Sequence, residues 1–176
     1  MALDVELTTV GGRWLRHTPA GVEPTARPVP ADDNRWQRWS VVDALYLCEE
    51  AACVWAEWYR HLAERGIPPE LALPRDLWTY EIEALEVADL RTAERLARVG
   101  LPQPQPGRRS WPTFQAVGEQ LHTDGFAGLL APSAARPRSV VLCVFLPSGT
   151  LPTELVHQRP PERVDNVPAP PTGMRT

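Results

Sequence analysis

The spacing of hydrophobic and polar residues changes several times along this chain, and each change marks an element. Trp78, Tyr80 and Ile82 alternate with Thr79, Glu81 and Glu83, the two-residue period of a strand with one wet face. Ala51, Trp55, Trp58 and Leu62 recur at i, i+4, i+7 and i+11, the spacing of one buried helix face. That spacing predicts a helix over about residues 50–65, ended by Gly66 and kept ended by Pro68-Pro69. Just before it, the apolar run 44–48 between Asp43 and Glu49 reads as a short strand leading into the helix.

The remaining segments give weaker signals of the same kind. Residues 5–10 read as a strand that Gly11-Gly12 breaks before 13–17. Residues 19–33 carry Pro19, Pro24, Pro28 and Pro30, whose missing amides predict a surface loop. Residues 92–98 predict a short helix closed by Gly100, followed by a connector through Pro102, Pro104, Pro106 and Gly107. Residues 112–123 predict a helix opened by proline, and 126–130 and 140–146 predict buried strands rich in valine and phenylalanine. From Pro147 on there are seven prolines and few large apolar groups, which predicts a disordered or loosely draped tail, dispensable for chemistry. The expectation is an α+β fold with a small mixed β core, about five or six short strands and three helices. It places the catalytic unit at 1–146 and the tail at 147–176.

Composition narrows the chemistry. With 176 residues and 43% apolar content, one domain can bury a core without metals or disulfides. A net charge of −4 argues against non-specific nucleic-acid binding. All 18 basic residues are arginine, so chemistry built on a lysine Schiff base or a P-loop lysine is excluded. Cys48, Cys53 and Cys143 lie in apolar segments without metal-ligand spacing, so they read as buried thiols of a reducing, cytoplasmic compartment, and no metal is expected. No apolar run approaches the roughly 18 residues that a bilayer requires.

Four side chains carry candidate chemistry. Glu57 lies roughly 120° from the centre of the helix's buried face, where a carboxylate bordering the core can stabilise developing positive charge. The ordinary alternative is an exposed pair with Arg60 or His61 at i+3 or i+4. Tyr46 is either a core aromatic or a stacking platform. Arg35 is either a solvated loop arginine against Trp36 or Trp39, or a planar fork for a pyrophosphate. Ser133, in the small-residue loop 131–136, either stabilises a turn or helps to cradle an oxygen. No GxSxG elbow surrounds it, so an acyl-transfer serine is not expected.

In order and spacing these positions resemble the RES-domain family of toxins from toxin–antitoxin pairs, named for an arginine, a glutamate and a serine. The resemblance covers about residues 14–146. It rests on Tyr46-Leu47 followed by Ala56-Glu57, then on Gln115 through Leu121, Gly125 and Pro132-Ser133-Ala134. Asn34-Arg35-Trp36-Gln37 takes the place of the family's Gly-Arg-Trp-Asn with both flanks changed, and Arg13 in Gly12-Arg13-Trp14 is the alternative. Arg16 matches a second family arginine.

The resemblance implies an ADP-ribosyltransferase-like fold that consumes NAD as a substrate rather than holding it as a cofactor. The reaction would break the nicotinamide–ribose bond by hydrolysis or phosphorolysis. The alternatives are ADP-ribose transfer to a protein, or a catalytically idle binding domain. In this reading Glu57 stabilises the oxocarbenium-like sugar, and Arg35 and Arg16 hold the dinucleotide. Tyr46 covers its nicotinamide end, and Ser133 hydrogen-bonds there. The implied partner is a cognate antitoxin carrying a DNA-binding domain, with no direct contact to nucleic acid or membrane.

Overall fold

The computed structural model describes residues 3–26 and 32–176. It contains the predicted mixture: strands β1 (Glu6–Pro19), β2 (Asp43–Cys48), β3 (Arg75–Asp89), β4 (Gly128–Pro132) and β5 (Val140–Leu146), with helices α1 (Ala51–Arg65), α2 (Ala93–Arg98) and α3 (Trp111–Thr123). Two further short strands, β6 (Leu155–His157) and β7 (Glu162–Val164), follow. Of the proline-rich loop expected over 19–33, Pro28 and Pro30 lie outside the described residues.

β1 pairs with β2, β2 with β5, β5 with β4, β4 with β3, and β3 back to β1, so these strands close into a ring. All these pairings are antiparallel except the short β3–β4 one. The seam between β1 and β2 is narrow, at Leu15 opposite Cys48, whereas β1 and β3 pair from Glu6–Asp89 to Pro19–Arg75. Gly11-Gly12 does not end β1 as expected. The register shifts between Val10 and Gly12, where Gly12 adopts φ 77°, so the pair forms a bulge that bends one long strand.

Side-chain alternation then fixes what lies inside and outside the ring. On β5, Leu142, Val144 and Leu146 join Val10, Trp14, Tyr80 and Ile82 in one cluster. Cys143 and Phe145 face Phe114, Val117 and Leu121 of α3, and Val141 faces Trp55, Trp58 and Leu62 of α1. Strands covered on both faces are apolar at every position, which is why 140–146 carries no period of its own. α1 ends as its sequence predicts: Gly66 is left-handed (φ 64°, ψ 31°), its amide donates to Ala63 O, and the Ile67 amide donates to Leu62 O.

The tail departs from expectation. On β3, β4 pairs only with Ala88 and Asp89, leaving most of that edge of β3 without a β4 partner. β6 pairs there with Tyr80–Ile82 and β7 with Arg75–Leu77, supplying the backbone bonds that a buried edge needs. Further along, Tyr59 Oη donates to Pro168 O (2.6 Å) and the Arg175 amide donates to Ala135 O (2.6 Å). The tail is therefore part of the folded unit, because an unpaired strand edge outweighs a proline-rich composition. Leu155, 5% exposed, plugs the ring's core cluster. Leu155→Ala is expected to cost about 2–5 kcal/mol, read as a lower urea midpoint. An unchanged midpoint would mean that the tail is not docked.

Candidate functional site

A cavity of about 620 Å³ opens between β1, β2, the start of β3, α1 and the 32–36 turn. Its wall includes Arg16, Arg35, Tyr46 and Glu57, so four of the expected site residues face one space. Ser133 lies directly behind that wall, 1% exposed, between the lining residues Pro132 and Ala134. Arg13 is exposed and absent from the wall, opposite Glu81 on β3, so the alternative arginine is set aside.

Glu57 is the most constrained group. Its Oε1 accepts from Ser133 Oγ (2.6 Å) and from the Ala135 amide (3.3 Å), and its Oε2 accepts from Arg60 Nε (2.8 Å). Ser133 Oγ in turn accepts from the Arg136 amide (2.9 Å), so the loop is closed on itself before it reaches Glu57. The expected i+3 pair with Arg60 does form, but its place is the cavity wall rather than open surface, with Glu57 only 22% exposed. Charge-assisted bonds to both oxygens fix the carboxylate's plane. Arg60 is held in turn by Glu64 (2.5 Å) and was legible only as a surface partner.

Arg35 is placed by α3 and β2 together. The 34–37 turn is closed by the Asn34 amide donating to Gln37 O, and Gln115 Nε2 donates to Asn34 O (2.9 Å). Glu119 accepts from the Arg38 amide and side chain. Tyr46 Oη donates to Gln37 Oε1 (2.9 Å) and accepts from the Trp36 amide (3.2 Å). Burial pushes the Tyr46 phenol well above its usual range, so it stays a neutral donor. The guanidinium of Arg35, 8% exposed, reaches Gln105 O (2.6 Å) and lies over the Phe114 ring. Burial, with Arg60 nearby, lowers its pKa.

On the opposite wall Arg16 donates to Tyr46 O (3.3 Å), and Arg75 donates to His17 Nδ1. His17 stacks on Trp55 of α1 at 5.8 Å. Burial, then the guanidiniums of Arg75 and Arg16, hold His17 well below its ordinary range, so the imidazole is neutral. The sequence reading gave no role to Arg75 or to the side chain of Gln37, and took Arg60 only as a surface partner of Glu57. Arg16 and His17 lie beyond the break expected at Gly11-Gly12, and nothing local showed that β1 would run on through them or that β3 would bring Arg75 beside His17. Four arginines line the cavity against the carboxylates of Asp32, Asp43 and Glu57, an arrangement suited to an anionic ligand with one carboxylate at its reacting end.

The family model described as the RES domain matches residues 8–165. A protein of Mycobacterium tuberculosis described as a probable NAD(+) phosphorylase is 28% identical over 176 residues, covering 95% of this chain and 84% of that one. Among solved structures, the crystal structure of the M. tuberculosis MbcT-MbcA toxin-antitoxin complex contains a chain similar to this one. It aligns with TM-score 0.74 and 24% identity, over 93% of this chain and 88% of that one, which shows a common fold.

Two outcomes follow from the geometry. A Cβ at Gly118 would meet Trp36 O at 1.9 Å, so Gly118→Ala is expected to push the Arg35 turn away and cost about 1–3 kcal/mol despite alanine's higher helix propensity. The check is a lowered melting temperature; an unchanged melt would contradict the close approach. The depressed pKa of His17 means that its contribution to stability is fully present above its unfolded value near 6.5 and is lost as pH falls below it, because the unfolded chain then binds the proton more readily. His61, also lowered, acts in the same direction. Melting temperatures between pH 7.5 and 5.5 should fall for the wild type and fall less for His17→Gln.

Proposed function

The chain belongs to the RES-domain family, and from that premise we propose that it is an NAD-degrading enzyme that breaks the nicotinamide–ribose bond and acts as the toxin of a toxin–antitoxin pair. The observation that carries this reading is the clamped Glu57 carboxylate facing an arginine-lined cavity. The cavity's volume falls within the range of about 300–1,000 Å³ found for small-molecule sites.

As nicotinamide departs with the electron pair of its glycosidic bond, positive charge grows on the ribose. Glu57 offers a fixed negative charge there and spends nothing on reorganisation, since Ser133, Ala135 and Arg60 already hold its plane. Arg35 and Arg16 orient the dinucleotide through its phosphates. Tyr46, its hydroxyl occupied by Gln37 and Trp36, offers the ring rather than the phenol to the nicotinamide end. Ser133 acts through Glu57. No proton needs to move onto the leaving group, because nicotinamide leaves neutral.

Phosphate is the acceptor we favour: one of its oxygens donates the lone pair that forms the new bond to the ribose carbon, giving a phosphorylated ADP-ribose. The name of the M. tuberculosis relative and the number of guanidiniums in the cavity support this choice. We assign the fold to the ADP-ribosyltransferase-like class on the strength of this chemistry, and an antitoxin, with a DNA-binding domain of its own, as the partner that covers the cavity. Among the described residues no helix is long and apolar enough to cross a membrane, which fits the proposed cytoplasmic setting.

The purified chain incubated with NAD and no added protein is expected to release nicotinamide faster when phosphate is present, with Glu57→Gln slower by about 10²–10³-fold. Equal rates for Glu57→Gln and wild type would overturn the catalytic role. Nicotinamide release only when an acceptor protein is added would favour ADP-ribose transfer.

A further inference from the structure

The wall opposite Glu57 carries a cation whose charge the described residues do not balance. Arg75 opens β3 across from the end of β1, and its Nε (3.2 Å) and a terminal nitrogen (2.7 Å) both approach His17 Nδ1. Nδ1 therefore accepts, the ring proton sits on Nε2, and the imidazole contributes no negative charge. The adjacent carboxylate is engaged elsewhere, because Asp76 accepts from Arg163 Nε (2.7 Å) and from the Gly21 amide (2.7 Å). Among the described residues Arg75 has no carboxylate within ion-pair distance, although it is half-buried and close enough to Arg16 to be repelled by it. Burial, and then Arg16, push Arg75 down to about 10, still fully charged at neutral pH. A charged guanidinium in such surroundings is stabilised chiefly by an anion that enters the cavity.

The arrangement differs from that at Arg35, where one terminal nitrogen donates to Gln105 O (2.6 Å) and reaches Gly107 O (3.5 Å) in the connector, and the other lies 3.5 Å from Ser110 Oγ. Arg75 is instead braced from one side only. His17, itself pinned against Trp55 on the helix that carries Glu57, holds Nε and one terminal nitrogen and leaves the other terminal nitrogen for a ligand.

We propose that Arg75, positioned by His17 and assisted by Arg16, is an oxyanion subsite that binds a phosphate group within the cavity. The group is either free inorganic phosphate, acting as acceptor, or the diphosphate of the dinucleotide; this choice of source rests on the function proposed above, whereas the subsite itself does not.

The test uses the full chain. Inorganic phosphate and pyrophosphate are titrated calorimetrically into wild type, Arg75→Gln, Arg75→Lys and the surface control Arg98→Gln. Loss of about tenfold or more in affinity for either anion is expected in Arg75→Gln, with Arg98→Gln unchanged and Arg75→Lys intermediate, since it keeps the charge without the fork. His17→Ala, which leaves Arg75 in place but unbraced, should weaken the same anion by a smaller factor. Where Arg75→Gln fails to fold, the comparison of Arg75→Lys with wild type decides.

Equal anion affinity in the folded Arg75 variants and wild type, or binding of neither anion to wild type, overturns the subsite. In steady-state kinetics a rise in KM for phosphate alone identifies the acceptor, and a rise in KM for NAD alone identifies the diphosphate. Anion binding that depends on Arg75 without any NAD turnover would sink the proposed reaction and leave the subsite standing.

Discussion

The site depends on one carboxylate being held from two directions. Glu57 is carried by α1, yet its orientation is set by Ser133 and the Ala135 amide from the β4–β5 loop and by Arg60 one turn further along its own helix. A carboxylate at a helix surface ordinarily samples several rotamers. Here three donors select one, and the loop that supplies two of them is itself tied down, with Arg136 and Ser139 both bonded to Glu50 just before α1. The start of the helix and the loop are therefore tied together. Electrostatic assistance to a forming cation requires that kind of fixity, since a carboxylate that must reorient during the reaction gives back part of what it contributes.

The ring of strands makes the clamp possible by bringing distant segments together. β2 and β5 pair from Asp43–Leu146 to Cys48–Val141, which sets the start of α1 beside the end of the β4–β5 loop. On the other side the long β1–β3 ladder brings His17 within reach of Arg75. The cavity thus has one wall built on α1 and the β4–β5 loop, carrying the carboxylate, and another built on β1 and β3, carrying guanidiniums. The Arg35 turn forms the rim between them, held by α3 through Gln115 and Glu119 and by Tyr46 from below. Tyr46 shows how a residue expected to face ligand also serves the scaffold: its ring lines the cavity while its hydroxyl fastens the rim.

Much of this was legible in the sequence, and the parts that were not share a cause. The α1 stripe Ala51, Trp55, Trp58 and Leu62 and its stop at Gly66 are local patterns, and they place Glu57 at the border of the core as it stands. The pairing of Glu57 with Arg60 was legible as spacing, but spacing does not say whether the pair faces solvent or a cavity. Gly11-Gly12 read as a break because local propensity cannot see β3 running alongside and carrying the strand through a bulge. The tail read as loose because seven prolines in 30 residues suggest no core, while the unpaired edge of β3 that captures it is a property of the assembled sheet. The pairing of Arg75 with His17, 58 positions apart, had no local signal. In each case the missing information was a contact between segments distant in the chain.

The account's central claim is spatial, so a structure with the substrate in place tests it most directly. Crystals of Glu57→Gln soaked with NAD should show the nicotinamide ribose against residue 57, with the diphosphate running toward the arginines of the cavity. A dinucleotide bound elsewhere, or bound in the cavity with its adenine end at residue 57, would contradict it.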